Sequence, residues 1–242
     1  MILLLRVSVL SCLLGIGQVC FSQGVAKDSI IFLDFSFRAD DVDIILSSPF
    51  QTEGNGDSVQ VDVLRFYVAH LNLFNPSGTS AQLETKWHLI DAGDEKSLRF
   101  EYEVDVATQG LIFQFGVDSL TNDTGIHGGA LDPTKGMYWA WQTGYINFKL
   151  EGSSANCPAA DGGFTYHIGG FLDNLDASRE IELLLRRDEQ LSLGISNEVS
   201  LVIEIDRLLE AAHQTLGCRL MRPSKEAVEF VDMIDNFMHL EQ

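Results

Sequence analysis

Residues 98–106 read LRFEYEVDV, and every second side chain is apolar. Leu98, Phe100, Tyr102, Val104 and Val106 fall on one side of an extended chain, and Arg99, Glu101, Glu103 and Asp105 fall on the other. Successive side chains of a strand point to opposite faces, so this segment is predicted to be a strand with one dry and one wet face. The same alternation returns in LIFQFGV (111–117), REIELLLRR (179–187) and EVSLVIEID (198–206), and SIIFLDFSF (29–37) and VDVLRFYVAHLNLF (61–74) are also strand-like. Turn-forming runs separate them: Glu53-Gly54-Asn55-Gly56-Asp57, Asn75-Pro76-Ser77-Gly78, Ala92-Gly93-Asp94 and Asp161-Gly162-Gly163. Many short alternating strands between such turns predict an antiparallel sandwich or barrel, and the missing helix–strand rhythm argues against a doubly wound α/β fold.

One helix is expected to close the chain. SKEAVEFVDMIDNFMHLEQ (224–242) spaces Val228, Val231, Ile234 and Phe237 three apart, with Ser224 as N-cap after Pro223. A shorter helix is expected over 206–216, DRLLEAAHQTL. No low-complexity linker or internal repeat divides the chain, so residues 23–242 are expected to form a single domain.

The first 22 residues stand apart. One basic residue, Arg6, precedes an apolar run from Val7 to Phe21 and then Ser22, the grammar of a secretory signal peptide cleaved near Ser22–Gln23. The apolar run is shorter than the roughly 20 residues of a spanning helix, and no second such segment follows it, so no membrane span is expected after cleavage. Residues 1–22 therefore imply export, to the periplasm or the cell surface. They also contain Cys12 and Cys20, which leaves Cys157 and Cys218 as an even pair in an oxidising compartment. A disulfide is the default expectation for that pair. Thiolate metal ligation is the alternative, unsupported by any CxxC spacing.

The formal net charge of −19 repels phosphate backbones and makes nucleic acid an unsuitable partner. It suits a cation or a basic protein. Enzyme signatures are missing: there is no GxSxG, HExxH, P-loop or Rossmann glycine pattern, and the acidic residues mostly occupy the wet faces of strands. No catalytic residue is assigned, and a non-enzymatic role is expected.

Of six histidines, two sit beside glycines: His127 in NDTGIHGGALDP and His167 in FTYHIGGF. His213 and His239 fall on expected helices, and His88 falls at an expected strand edge. Asp118, Asn122, Asp123 and Asp132 supply oxygens suited to a hard cation, without EF-hand spacing. Next comes GMYWAWQTGYINFKLEG (136–152), with Trp139 and Trp141 two apart and a bend expected near Thr143-Gly144.

The run GVDSLTN…GALDPTKGMYWAWQTGYINFKLEG followed by FTYHIGGF resembles the MbnP-like family, in the form associated with Bacteroidetes-type bacteria. The similarity extends through VDVLRFYVAHLNL and the C-terminal segment. It implies an exported all-β protein, an antiparallel Ig-like or Greek-key sandwich with a C-terminal α-helix, that binds one copper ion through histidines. It also implies oxidation of a tryptophan by a partner di-haem cytochrome c peroxidase-like enzyme, with Trp139 and Trp141 as candidates. Carried over residue by residue, His167 matches a recurrent family histidine and His127 lies where relatives can carry one. His70 stands one step beyond the family's strand histidine, whose place is taken by Ala69, and one step along a strand is the opposite face. Asp132 or a turn carbonyl would hold a ligating ring. The competing expectation is a metal-free surface module, either a glycan-stacking sandwich or a docking partner for a haem peroxidase or an outer-membrane receptor.

Overall fold

The computed structural model describes residues 29–52, 58–74, 80–104, 109–141, 144–185 and 198–241. The expected leader, the turns at 53–57 and 75–78, and the strand tails at 105–106 and 186–187 lie outside the described residues. Strands in chain order are β1 (Ser29–Ala39), β2 (Val42–Asp43), β3 (Pro49–Gln51), β4 (Ser58–Phe74) and β5 (Ser80–Glu84). Then come β6 (His88–Asp91), β7 (Arg99–Val104), β8 (Gly110–Phe115), β9 (Tyr138–Trp139) and β10 (Gly144–Ser154). The last five are β11 (Gly163–Gly169), β12 (Arg179–Leu184), β13 (Glu198–Glu204), β14 (Arg219–Met221) and β15 (Met238–Glu241). Among the described residues three α-helices interrupt them: α1 (Ser119–Asp123), α2 (Ile205–Leu216) and α3 (Lys225–Val231).

The strands make a sandwich. In the smaller sheet β1 lies between β13 and β7, with β15 beyond β13. The larger sheet runs β12-β8-β4-β10-β11-β14, with shorter strands added to β4 and β10. Phe35 and Phe37 of β1 meet the ring of Phe66 on β4 at 6.0 and 6.3 Å, and Phe66 stacks on Phe115 of β8 at 5.7 Å. The contacts of Phe35 and Phe37 with Phe66 join the two sheets. Leu208, Leu209 and Ala212 of α2 and Phe230 of α3 complete the same core.

Most pairs are antiparallel as expected, but β1 pairs with β13, and β11 with β14, in parallel. Alternation reports which face a residue occupies and says nothing of strand direction, so this detail was not readable from the pattern. The closing helix is also shorter than expected. Ser224 does cap α3, its Oγ accepting the Ala227 N–H at 3.2 Å, but the helix ends at Val231. Ile234–Phe237 is a 3₁₀ turn, and Met238–Glu241 pairs with β13. His239 therefore lies on a strand. A strict three-residue apolar spacing drifts off the face of an α-helix and fits the three-residue turn of a 3₁₀-helix.

The centre of β4 is buried on both faces. Phe66 and Val68 enter the inter-sheet core, while Tyr67 joins a second apolar cluster on the outer side of the larger sheet. That cluster holds Val117, Leu131, Met137, Trp139, Tyr145 and Ile146, and residues 116–141 form its lid.

Candidate functional site

The lid is built from short capped turns. Asp118 caps α1, its Oδ1 accepting the Thr121 N–H at 2.6 Å. Asp132 caps the following 3₁₀ turn, accepting from the backbone N–H and hydroxyl of Thr134 at 2.8 and 2.7 Å. Those bonds hold the Asp132 carboxyl below its ordinary range. Buried Asn122 donates to the carbonyls of Val117 and Asp118, and its Oδ1 accepts the Tyr145 N–H at 2.9 Å. Of the four residues read as suited to a hard cation, Asp118, Asn122 and Asp132 thus each have a side-chain oxygen engaged by neighbouring backbone N–H groups. Asp132 likewise caps its turn and has no histidine partner.

Trp139 and Trp141 separate at this lid. Trp139, at the end of β9, is 4% exposed, whereas Trp141 lies in the turn beyond and is 65% exposed. Their rings are 5.9 Å apart. Trp139 covers Gly169, where an added Cβ would meet the Tyr145 carbonyl at 2.4 Å and the indole at 3.0 Å. Gly170 beside it has φ +138°, a backbone conformation that side chains resist. The paired glycines of HIGG therefore let strand, hairpin and indole close on one another. The Trp139 Nε1 and the Tyr67 hydroxyl are buried without a hydrogen-bond partner.

His167 precedes Gly169 by two residues on the same face of β11, about 7 Å along the strand. It is 8% exposed, and its Nε2 lies 2.6 Å from Glu151 Oε1 on β10. An ionised carboxylate only accepts, so Nε2 carries the proton and Nδ1 the lone pair. Burial lowers the His167 pKa and outweighs the opposing bond to Glu151, with Lys149 and Arg219 adding in the same direction. Burial raises Glu151, but the bond to His167 and the charge of Lys149, 3.4 Å away, bring it below its ordinary value. Met221 of β14 stands opposite His167 in the parallel ladder.

His127 is held in the lid. Its Nε2 contacts the Thr121 carbonyl at 3.1 Å and the Thr124 hydroxyl at 2.9 Å, and its backbone N–H donates to the Tyr145 hydroxyl at 2.9 Å. The carbonyl again requires a proton on Nε2 and leaves the lone pair on Nδ1. His70 is exposed at φ +52° in a bulge of β4 against β8, 6.0 Å from the Trp87 ring. Ala69 before it is fully buried.

Among the described residues, none of these three histidines belongs to a group of three or more His, Cys, Asp or Glu donors. The one such group is Cys157, His213 and Cys218, whose donor atoms all lie within 4.8 Å of one another. The expected Cys157–Cys218 disulfide is formed. Sequence reasoning missed Glu151, read as a solvated strand residue, and His213, read as an ordinary helix residue. Glu151 was recoverable from the β10–β11 hairpin register, which sets Lys149 opposite His167. His213 lies 56 residues from Cys157, and no local signal joins them.

The fold and this face together define a β-sandwich whose outer aromatic cluster is flanked by carboxylate- and carbonyl-held imidazoles. The family model described as MbnP matches residues 30–220, and the chain belongs to the MbnP family. The solved structure of MbnP from Methylosinus trichosporium is similar with a TM-score of 0.56 and 15% identity, over 76% of this chain and 78% of that one. That likeness shows a shared fold. Curated proteins give no match.

Proposed function

We propose that this chain is an exported, non-catalytic copper-binding protein that captures copper and passes it on, with His167 as its anchoring ligand. The observation that carries this reading to a residue is the His167–Glu151 pair. A ligating imidazole must be neutral, with one nitrogen free and the other held by an acceptor. Burial favours the neutral form of His167, in which Glu151 holds Nε2–H and Nδ1 retains the lone pair. His127 has the same Nδ1 form and is the second candidate. Imidazole suits copper in either oxidation state. The chain's own contribution is to orient the ring and exclude water, the ion being cargo. Export rests on the apolar leader and on the disulfide; among the described residues no helix is long and apolar enough to cross a membrane.

If a di-haem peroxidase-like partner oxidises a tryptophan, the exposure of Trp141 favours it over buried Trp139. The test is a Cu(I) competition titration of the mature protein, with peptide mass mapping of the native sample. His167→Ala is expected to remove the tight site, and Glu151→Gln to weaken it roughly 10- to 100-fold. Unchanged affinity in His167→Ala would remove that residue from the site. A metal-free glycan-binding reading draws support from exposed Trp141. It requires indole fluorescence to respond to sugars and not to copper.

A further inference from the structure

His213, Cys157 and Cys218 come together from three different elements. Cys157 lies in the β10–β11 connection, His213 in the last turn of α2, and Cys218 just before β14. His213 Nε2 is 3.5 Å from Cys157 Sγ. The imidazole is set edge-on against the stacked rings of Phe164 and Tyr166, with ring centroids 5.7 and 6.1 Å away. Each cysteine is also anchored by its own backbone: Cys157 N–H donates to the Ser154 carbonyl at 3.1 Å, and the Cys218 carbonyl accepts the Thr165 N–H at 2.9 Å. The Tyr166 hydroxyl donates to the Gly217 carbonyl at 2.6 Å and fixes the turn that carries Cys218. These last three bonds run through peptide groups and a phenol hydroxyl, not through sulfur.

We infer that the disulfide is the closed form of a second, redox-gated metal site, in which Cys157, Cys218 and His213 bind a thiophilic d¹⁰ cation once reduced. A dithiol reductant supplies two electrons and two protons. The S–S bond breaks, two thiols form, and the reductant becomes a disulfide. An incoming Cu⁺ or Zn²⁺ displaces the two thiol protons and is bound by two thiolates and Nε2. Three donors satisfy Cu⁺; Zn²⁺ adds a water as fourth ligand. In the oxidised state neither sulfur is a thiolate, so the site is shut. The site is separate from His167 and stands whether or not that residue binds copper.

The test uses the mature protein, oxidised or reduced with dithiothreitol and desalted under argon, then titrated with Cu⁺ and separately with Zn²⁺ against a chromophoric competitor. Reduction is expected to add one equivalent of bound ion and, with Cu⁺, a thiolate-to-copper charge-transfer absorption. His213→Ala, also reduced, is expected to lose more than roughly a hundredfold in affinity, beyond the roughly 10- to 100-fold loss typical of a supporting residue. His167→Ala is expected to keep the added equivalent, which separates this site from the copper site proposed above. Equal stoichiometry before and after reduction would overturn the inference, as would undiminished affinity in reduced His213→Ala. Loss of the native far-ultraviolet circular dichroism on reduction would also overturn it, because the backbone anchors would then not hold the donors together.

Discussion

At the residue scale, the outer cluster depends on a position with no side chain. An added methyl group at Gly169 collides with the Tyr145 carbonyl and with Trp139, and the first of these is backbone that cannot turn aside. Gly169→Ala is expected to cost about 1–3 kcal/mol, as overpacked sites do, and to raise Trp139 fluorescence quenching by solvent as the indole lifts; urea unfolding and iodide quenching measure both. His88 gives a pH dependence. Burial lowers its pKa, with Lys86 adding to the effect and Glu84 opposing it. Its Nε2 is buried without a hydrogen bond, 3.9 Å from Glu84, and its ring packs on Phe100 at 4.7 Å. The folded state therefore takes up its proton later than the unfolded chain as pH falls. Stability contributed by neutral His88 is present above the ordinary value of 6.5 and is lost as pH drops from there toward the lowered folded value. His88→Gln is expected to flatten this part of the stability–pH curve, measured by thermal melts between pH 7 and 5.

At the element scale, the alternating segments became strands because apolar faces could be closed on one inter-sheet core. The motif DP..GM.W.WQ.GY was legible as a family signature with a bend near Thr143-Gly144 but not as two environments, since alternation of Trp139 and Trp141 stops where β9 ends. Residues 66–69 of β4 broke the alternating rule because both faces are covered there, and the covering lid comes from residues 116–141, far along the chain. His167 was singled out as a candidate by its glycines and its family match; its acceptor required the hairpin register, and the sulfur–imidazole group required the tertiary fold. Ser224 illustrates what local sequence does carry. Its hydroxyl satisfies an otherwise unpartnered N–H at the start of α3 even though the helix ends early. Ser224→Ala is expected to cost about 1 kcal/mol, read as a lower midpoint in urea unfolding with an unchanged slope. A larger loss would mean that Ser224 also positions α3 against the core.

For the whole molecule, the disulfide ties the β10–β11 hairpin to the end of α2 across a sequence separation of 61. Opening a loop of that length frees the unfolded chain and is expected to cost about 4 kcal/mol in the chain-entropy account. If the three donors stay together after reduction, an ion bound to them favours the folded state again. At a free concentration a hundred times its dissociation constant the gain is at most about 2.7 kcal/mol, since unfolded thiols also bind metal. Guanidinium unfolding of the oxidised, reduced and Zn²⁺-loaded reduced protein should then give three midpoints, with the loaded form between the other two. His213→Ala should keep the gap between oxidised and reduced forms and shrink the recovery with Zn²⁺, because the imidazole contributes to the metal and not to the loop. A reduced protein whose midpoint ignores Zn²⁺ would leave Cys157–Cys218 as a covalent staple and nothing more.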